Sequence, residues 1–520
     1  MTVLFPSWIF GYSSSHNTIC PLTQADNSPA PLHHYSTPGI TPPSARIDPK
    51  LKLQSRRPVR LWEWWKYGVF MATKATDVAS EIITHYIHGP RRNTWGIEMT
   101  IVTSIIRGAA RHSALVNIST IRTLMSLGGL VPLPSDALVT PVTFRVRRRG
   151  LRGLLSEFDA KEDGKRELSG EWVVGRRTWQ RLQAEWKASR SESRPSLGRK
   201  ETVILYIHGG AYYLSSAAAQ RLLSIPLAKH TDSRVFAIDY RLAPETNFPG
   251  PLHDIVIAYF RLTDDLHIPP ENIIVAGDSA GGALSLALLM YLRDNDYPLP
   301  SGAVLMSPWV DLTMSCQSWD SNADYDVVPF PTADNHMNPI GLYLGEKMES
   351  YLTHPYASPL FGDFTGLPPL LIQAGDAEVL RDEITLLALK ATQAGVPVRH
   401  ELYEDAIHVF QAYPFLGATR QSFVSMREFV HNMLPRCQAR SLKTLGASAE
   451  AGLQQEINNK QSTVVGGDGV ASVTEGDGSI ALGAAADITE NDGEEGETER
   501  SYPSWIRPKH WYMVWLVGYA

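Results

Sequence analysis

Cysteine is scarce: Cys20, Cys316 and Cys437 are the only three in 520 residues, too few and too far apart for a disulfide framework or a metal cluster. That scarcity favours a reducing compartment. Long apolar runs are also missing. No segment reaches about 18 uncharged apolar residues, so no conventional membrane span is expected. The opening residues, MTVLFPSWIFGYSSSHN, lack a basic start and are interrupted by Pro6 and Ser7, which argues against a signal peptide. A cytoplasmic protein is the expectation. Nor does charge of one sign dominate. A net charge of −6 and a pI near 6.3 give no reason to expect nucleic acid as a partner. The basic run RVRRRGLR, Arg145 to Arg152, reads as the solvated face of a strand or hairpin.

What is present divides the chain into four. Residues 1–55 are rich in Pro, Ser, Thr and His without periodicity, and read as a disordered leader. Residues 56–135 turn helical, with Trp62, Trp64, Trp65, Tyr67 and Phe70 crowded at the start. These read first as core aromatics; the alternative is a helical lid or a patch facing a membrane. Residues 136–437 begin with two alternating segments, TPVTFRVRRRG and GEWVVG, expected as antiparallel edge strands joined by a charged loop. The polar stretch SRSESRPSLGRK, 189–200, leads into short apolar runs that alternate with helical patterns: VILYIHGG, RVFAIDY, NIIVAGDS, GAVLMSPW, PLLIQAGD and, last, VRHELYED. That alternation implies an α/β fold with a mostly parallel central sheet flanked by helices. Residues 438–520 read as an acidic low-complexity tail, ending in the aromatic segment YPSWIRPKHWYMVWLVGYA.

The chemistry centres on ENIIVAGDSAGGALSLALLM, 271–290, a buried strand, a glycine turn and a helix. Gly277 and Gly281 flank Ser279 in a G-x-S-x-G pattern, which lets the backbone turn sharply and lifts the hydroxyl above the sheet edge. The amide of Ala280 then points to where an oxyanion would form. The plain alternative is a glycine-rich turn whose serine caps the helix. Upstream, a strand ends in HGGAYY, where the amides of Gly209 and Gly210 would complete the oxyanion hole; His208 reads as structural. A turn of this kind orders serine, acid and histidine along the chain, which selects His408 of YEDAIHVFQAY from sixteen histidines. The acid falls in GDAEVLRDE, where Asp376 and Glu378 lie on the loop and Asp382 and Glu383 begin a helix; spacing does not separate the first two.

With these residues placed, the chain resembles the hormone-sensitive-lipase-like family of α/β-hydrolase esterases. HGGAYY, DYRLAPE followed by FPGPLHD, GDSAG, SPWVDLT, GLPPLLIQAGDAEVLRDE and IHVF resemble that family's blocks in its order, from Thr202 to Tyr413. The resemblance implies an α/β-hydrolase fold with an N-terminal helical cap over the acyl pocket, and ester hydrolysis with no metal or cofactor. It implies Ser279 as nucleophile, His408 as base and then acid, and Asp239 and Arg241 as pins for the loop beside the turn. Counting back from Arg381-Asp382-Glu383, it favours Glu378 over Asp376 as the acid, while the family's frequent third glycine is Ala211 here. The expected partner is a small hydrophobic ester, a short-acyl ester of an apolar alcohol such as a sterol or secondary-metabolite acetate. Trp319, Tyr325 and Phe330 would suit such a ligand, and the cap suggests peripheral contact with a membrane. Two other functions use the same parts: a small-molecule receptor that has lost catalysis, and acyl transfer to an acceptor other than water.

Overall fold

The computed structural model describes residues 30–48, 50, 53, 65–110, 117–126, 132–191, 201–331, 335–442, 461–465 and 471–475. Trp62, Trp64, Cys20, the polar stretch 192–200, the acidic run and the aromatic terminus lie outside these residues.

Ala137–Arg145 (β1) and Glu167–Gly175 (β2) form the expected antiparallel pair, with β1 at the sheet edge and β2 inside it. The apolar runs that follow are Val203–Ile207 (β3), Arg234–Asp239 (β4), Ile273–Asp278 (β5), Gly302–Met306 (β6), Leu370–Gly375 (β7) and Val398–Tyr403 (β8). They pair in parallel in the order β4-β3-β5-β6-β7-β8, and β2 joins β4 antiparallel. Every residue of β3, β5, β6 and β7 is buried, because helices cover both faces of the sheet. Val203, Leu205 and Ile207 pack with helices Gly250–Phe260 and Ala280–Asp294, while Ile204 and Tyr206 pack with helices Arg221–His230 and Gly417–Glu428. The period of two along each strand thus feeds two separate cores.

Three expectations change. The leader is not disordered throughout: Leu32, Tyr35 and Ile47 are buried. Tyr35 donates to Asp311 Oδ2 at 3.0 Å, lies edge-on to Phe361 at 5.0 Å, and its carbonyl accepts from Lys390 Nζ at 2.9 Å. A polar segment that cannot build its own core can still dock single side chains into an existing one. VRHELYED is not the last strand, since Gln461–Val465 (β9) pairs in parallel with β8 and Ala471–Glu475 (β10) closes the sheet beside it. This places ten strands in the sheet, two of them in the tail expected to be low-complexity throughout.

The third change concerns the aromatic crowd. Trp65–His88 (α1) contains no buried residue, and Trp65 is 64% exposed, so the reading as core does not hold for Trp65, and Tyr67 and Phe70 are only half-buried. The helix packs one face on Ile97–Ala110 (α2) and turns Trp65, Val69, Met71, Ile83, Tyr86 and Ile87 outward. The N-terminal helical region is anchored instead by α2 and the residues just before it. Trp95, Met99, Val102 and Ile106 form one cluster with Ala377, Ile407 and Phe410, each such burial contributing roughly 1.5–3 kcal/mol. Ile118–Ser126 (α3) is tied at its Arg122, which donates to the carbonyls of Tyr213 at 2.8 Å and Ala243 at 2.6 Å. Among the described residues no helix is long and apolar enough to cross a membrane.

Candidate active site

Strand β5 ends at Asp278 and the helix starts at Ala280, so Ser279 makes the whole turn alone, at φ 51° and ψ −122°. A serine costs about 1–3 kcal/mol in such a conformation, and the strain persists only where neighbours over-determine it. They do: the amide of Ser279 donates to the Met306 carbonyl at 2.9 Å, and its own carbonyl accepts from the Trp309 amide at 3.0 Å. A Cβ on Gly281 would lie 2.0 Å from the carbonyl oxygen of Ile207 and 2.6 Å from that of His208, both backbone atoms. Glycine is needed there for close approach. Gly281→Ala is therefore expected to lower stability by about 3 kcal/mol, read as a shifted urea midpoint. An unchanged midpoint would remove the close-packing argument.

Ser279 Oγ lies 2.9 Å from His408 Nε2, and His408 Nδ1 lies 3.2 Å from Glu378 Oε2. Three residues from the ends of β5, β7 and β8 thus meet, 129 and 30 positions apart in sequence. Asp376, named with Glu378 as a candidate acid, is not part of this chain. It sits at the end of β7 facing Arg92 and Asp405, its backbone amide on the Tyr403 carbonyl at 3.0 Å. Two residues along a turning loop are enough to send one carboxylate to the histidine and the other toward Arg92.

The electrostatics follow from burial. Desolvation opposes charge on His408, but the hydrogen bond and charge of Glu378, joined by Asp326 and Asp278, outweigh it and hold the imidazole pKa above its ordinary value. Burial pushes the Glu378 carboxyl up, and the His408 hydrogen bond works against that rise. Desolvation likewise pushes Asp376 up to about 6, with Arg92 opposing.

The oxyanion loop needs one correction. The Gly209 amide donates to Asp278 Oδ1 at 3.0 Å, so its hydrogen is already engaged. Asp278 is buried and also accepts from the Tyr206 hydroxyl, which makes it the brace between the HGG loop and the serine turn. Sequence reasoning missed it, although it is the second residue of the GDSAG block. The amides of Gly210, Ala211 and Ala280 have no partner among the described residues. Gly210 itself is at φ 103°, a left-handed turn that frees the next amides from strand pairing.

The supporting residues fall mostly as expected. His208 is buried, stacks on Tyr240 at 4.3 Å and bonds the Gly209 carbonyl through Nδ1 at 2.7 Å, a structural role. Asp239 accepts from the Ala217 amide at 2.7 Å, just beyond the HGG loop, whereas Arg241 pairs twice with Asp254 at 2.8 Å on the following helix. Trp319 is a core residue whose indole donates to Glu383 at 3.2 Å, and Phe330 lies edge-on to it at 6.0 Å. Tyr325 is capped by the Arg92 guanidinium at 4.3 Å.

Known proteins resemble this chain over the same region. The family described as alpha/beta hydrolase fold matches residues 204–412. An acetyl-hydrolase of Streptomyces hygroscopicus is 39% identical over 46% of this chain and 76% of its own length. An esterase of Acinetobacter venetianus is 35% identical over 44% of this chain and 75% of its own. The crystal structure of an esterase from the bacterial hormone-sensitive lipase family superposes with a TM-score of 0.51 at 31% identity, covering 65% of this chain and 99% of that one. The chain belongs to the hormone-sensitive-lipase-like family of α/β-hydrolase esterases and is a carboxylic ester hydrolase.

Proposed function

We propose that the protein cleaves short-acyl esters of hydrophobic alcohols through an acyl-enzyme formed on Ser279. The observation that carries the proposal is the continuous hydrogen-bonded chain from Ser279 Oγ through His408 to Glu378, at 2.9 and 3.2 Å. His408 Nε2 takes the hydroxyl proton as Oγ attacks the ester carbonyl, and the imidazolium is stabilised by the Glu378 carboxylate on its other nitrogen. The same proton passes to the leaving alcohol. Water then repeats the cycle on the acyl-enzyme and releases the acid. The carbonyl oxygen, negative in each tetrahedral intermediate, lies against the amides of Gly210 and Ala280, with Ala211 adjacent; each such donor contributes about 10²–10³ in rate. A short acyl group is supported by the relative named an acetyl-hydrolase.

The test is hydrolysis of a chromogenic ester series from acetyl to decanoyl. kcat/KM is expected to fall at least about tenfold between butyryl and decanoyl, since a pocket shaped for a short chain rejects added methylenes. A maximum at decanoyl would overturn the short-acyl reading, and no turnover on any member would turn attention to a receptor.

A further inference from the structure

The segment after β6 was singled out in the sequence for its aromatics, yet its polar side chains do more at the site. Ser318 Oγ donates to the Val379 carbonyl at 2.6 Å, and Asn322 Nδ2 donates to the carbonyls of Asp376 at 2.9 Å and Glu378 at 2.8 Å. Both hold the loop that carries the acid. Asp326 reaches further. Its Oδ2 accepts from the Val379 amide at 2.8 Å, next to Glu378. Its Oδ1 accepts from the Val327 amide at 2.7 Å and from the amide of His408 itself at 3.0 Å.

We propose that Asp326 is a positioning residue: one buried carboxylate, shared between the backbone amides of Val379 and His408, holds the acid and the base at their working separation. The inference rests on the assignment of Ser279, His408 and Glu378 made above.

Three features of the structure carry it. Asp326 is 1% exposed, so no water competes for its oxygens and each lost bond is costly. Burial pushes its carboxyl up, but its two oxygens face three amide hydrogens and the His408 imidazole, which work against that rise and leave no acceptor for a proton it could donate. The turn it holds is strained: Val409, a β-branched residue, sits at φ 51°, and its amide is fixed by Ser307 Oγ at 3.0 Å. Asp326 and Ser307 therefore grip consecutive amides of a turn that would otherwise relax and carry the imidazole away. Asp326 touches none of the reacting atoms, whereas Ser307 also bonds the Glu378 carboxyl. The effect of Asp326 reaches the chemistry through His408.

The role also has an electrostatic signature. Carboxylates face His408 from three elements: Glu378 on the acid loop, Asp278 at the serine turn and Asp326 on the segment after β6. Each favours the imidazolium. A substitution that removes the Asp326 charge lowers the affinity of His408 for its proton, whereas a purely structural loss does not.

The experiment is Asp326→Asn, which keeps the shape but turns an amide NH2 toward backbone N–H groups. kcat is expected to fall about 30- to 100-fold with KM changed less than about threefold, as for a misplaced base. The acid limb of the kcat/KM profile is expected to move down by about one pH unit. Wild-type kcat with an unmoved acid limb overturns the proposal, and so does a lower kcat with the limb in place. Asp326→Ser, which removes the clash along with the charge, is measured in parallel and carries the test if the asparagine variant does not fold. Failure of both to fold overturns the proposal, because the carboxylate would then be required by the fold and not by the pair. Turnover that survives Ser279→Ala would overturn the underlying triad instead, and that result is independent of either Asp326 variant.

Discussion

Ser279→Ala is expected to lower kcat/KM on a chromogenic acetate ester by about 10⁵- to 10⁶-fold while leaving the thermal midpoint close to that of the wild type. The size follows from what is removed. Without Oγ there is no atom to attack the carbonyl, and the remaining amides and pocket can only assist water, which leaves about 10³–10⁴ of residual catalysis. The fold is expected to tolerate the change because the serine turn is held by backbone groups: the Ser279 amide on Met306 and the Trp309 amide on the Ser279 carbonyl. The hydroxyl bonds His408 at 2.9 Å, a contact of the site and not of the core. His408→Ala should cost nearly as much, and the double variant little more than either, since the members act as a unit. Turnover within tenfold of wild type in the Ser279 variant would sink the assignment.

How far such a result could be foreseen depends on how local each feature is. The serine turn was legible because its glycines answer a local demand: two backbones approach where no Cβ fits, and only one spacing of glycine about a serine meets it. His408 was legible through chain order. The oxyanion loop was half legible. Two glycines announce bare amides, but which of them is free depends on Asp278, 69 positions later, whose carboxylate engages Gly209. The docked part of the leader was hidden for the same reason on a larger scale, as Tyr35 bonds Asp311 across 276 positions and nothing near Tyr35 in sequence announces that partner. The aromatic crowd at α1 misled in the opposite direction. Composition says only that such side chains are costly to expose, and the helix leaves Trp65 outward and buries Tyr67 and Phe70 only in part. Asp326 lay unremarked beside Tyr325 because an acidic residue in a long connection ordinarily reads as solvated.

The acid is where spacing along the chain left two candidates and only the resemblance favoured Glu378, the carboxylate found against His408, and its test carries the second large effect. Glu378→Gln is expected to lower kcat by about 10⁴-fold, and Asp376→Asn by less than about tenfold. In the first variant the side-chain amide offers His408 Nδ1 either a donor or a weaker acceptor. The donor arrangement places the imidazole hydrogen on Nε2, the nitrogen that must accept from Ser279, and loss of the carboxylate charge removes the stabilisation of the imidazolium. The pH dependence follows the same sign. The wild-type imidazole is held above its ordinary range by Glu378 against the opposing effect of burial, so kcat/KM rises as His408 loses its proton. With Glu378 neutral, that acid limb should move to lower pH even as the plateau falls. Asp376 faces Arg92 and Asp405, beside the point where Trp95 Nε1 donates to the Asp405 carbonyl at 2.7 Å, so its loss should be felt where the segment before α2 meets the sheet domain and not at the imidazole. Burial pushes its carboxyl up to about 6, toward the neutral form that asparagine imitates, which makes the substitution a modest change. If Asp376→Asn were the damaging change and Glu378→Gln the silent one, the imidazole would have to reach across the acid loop to the other carboxylate, and the 3.2 Å contact would not be the working one.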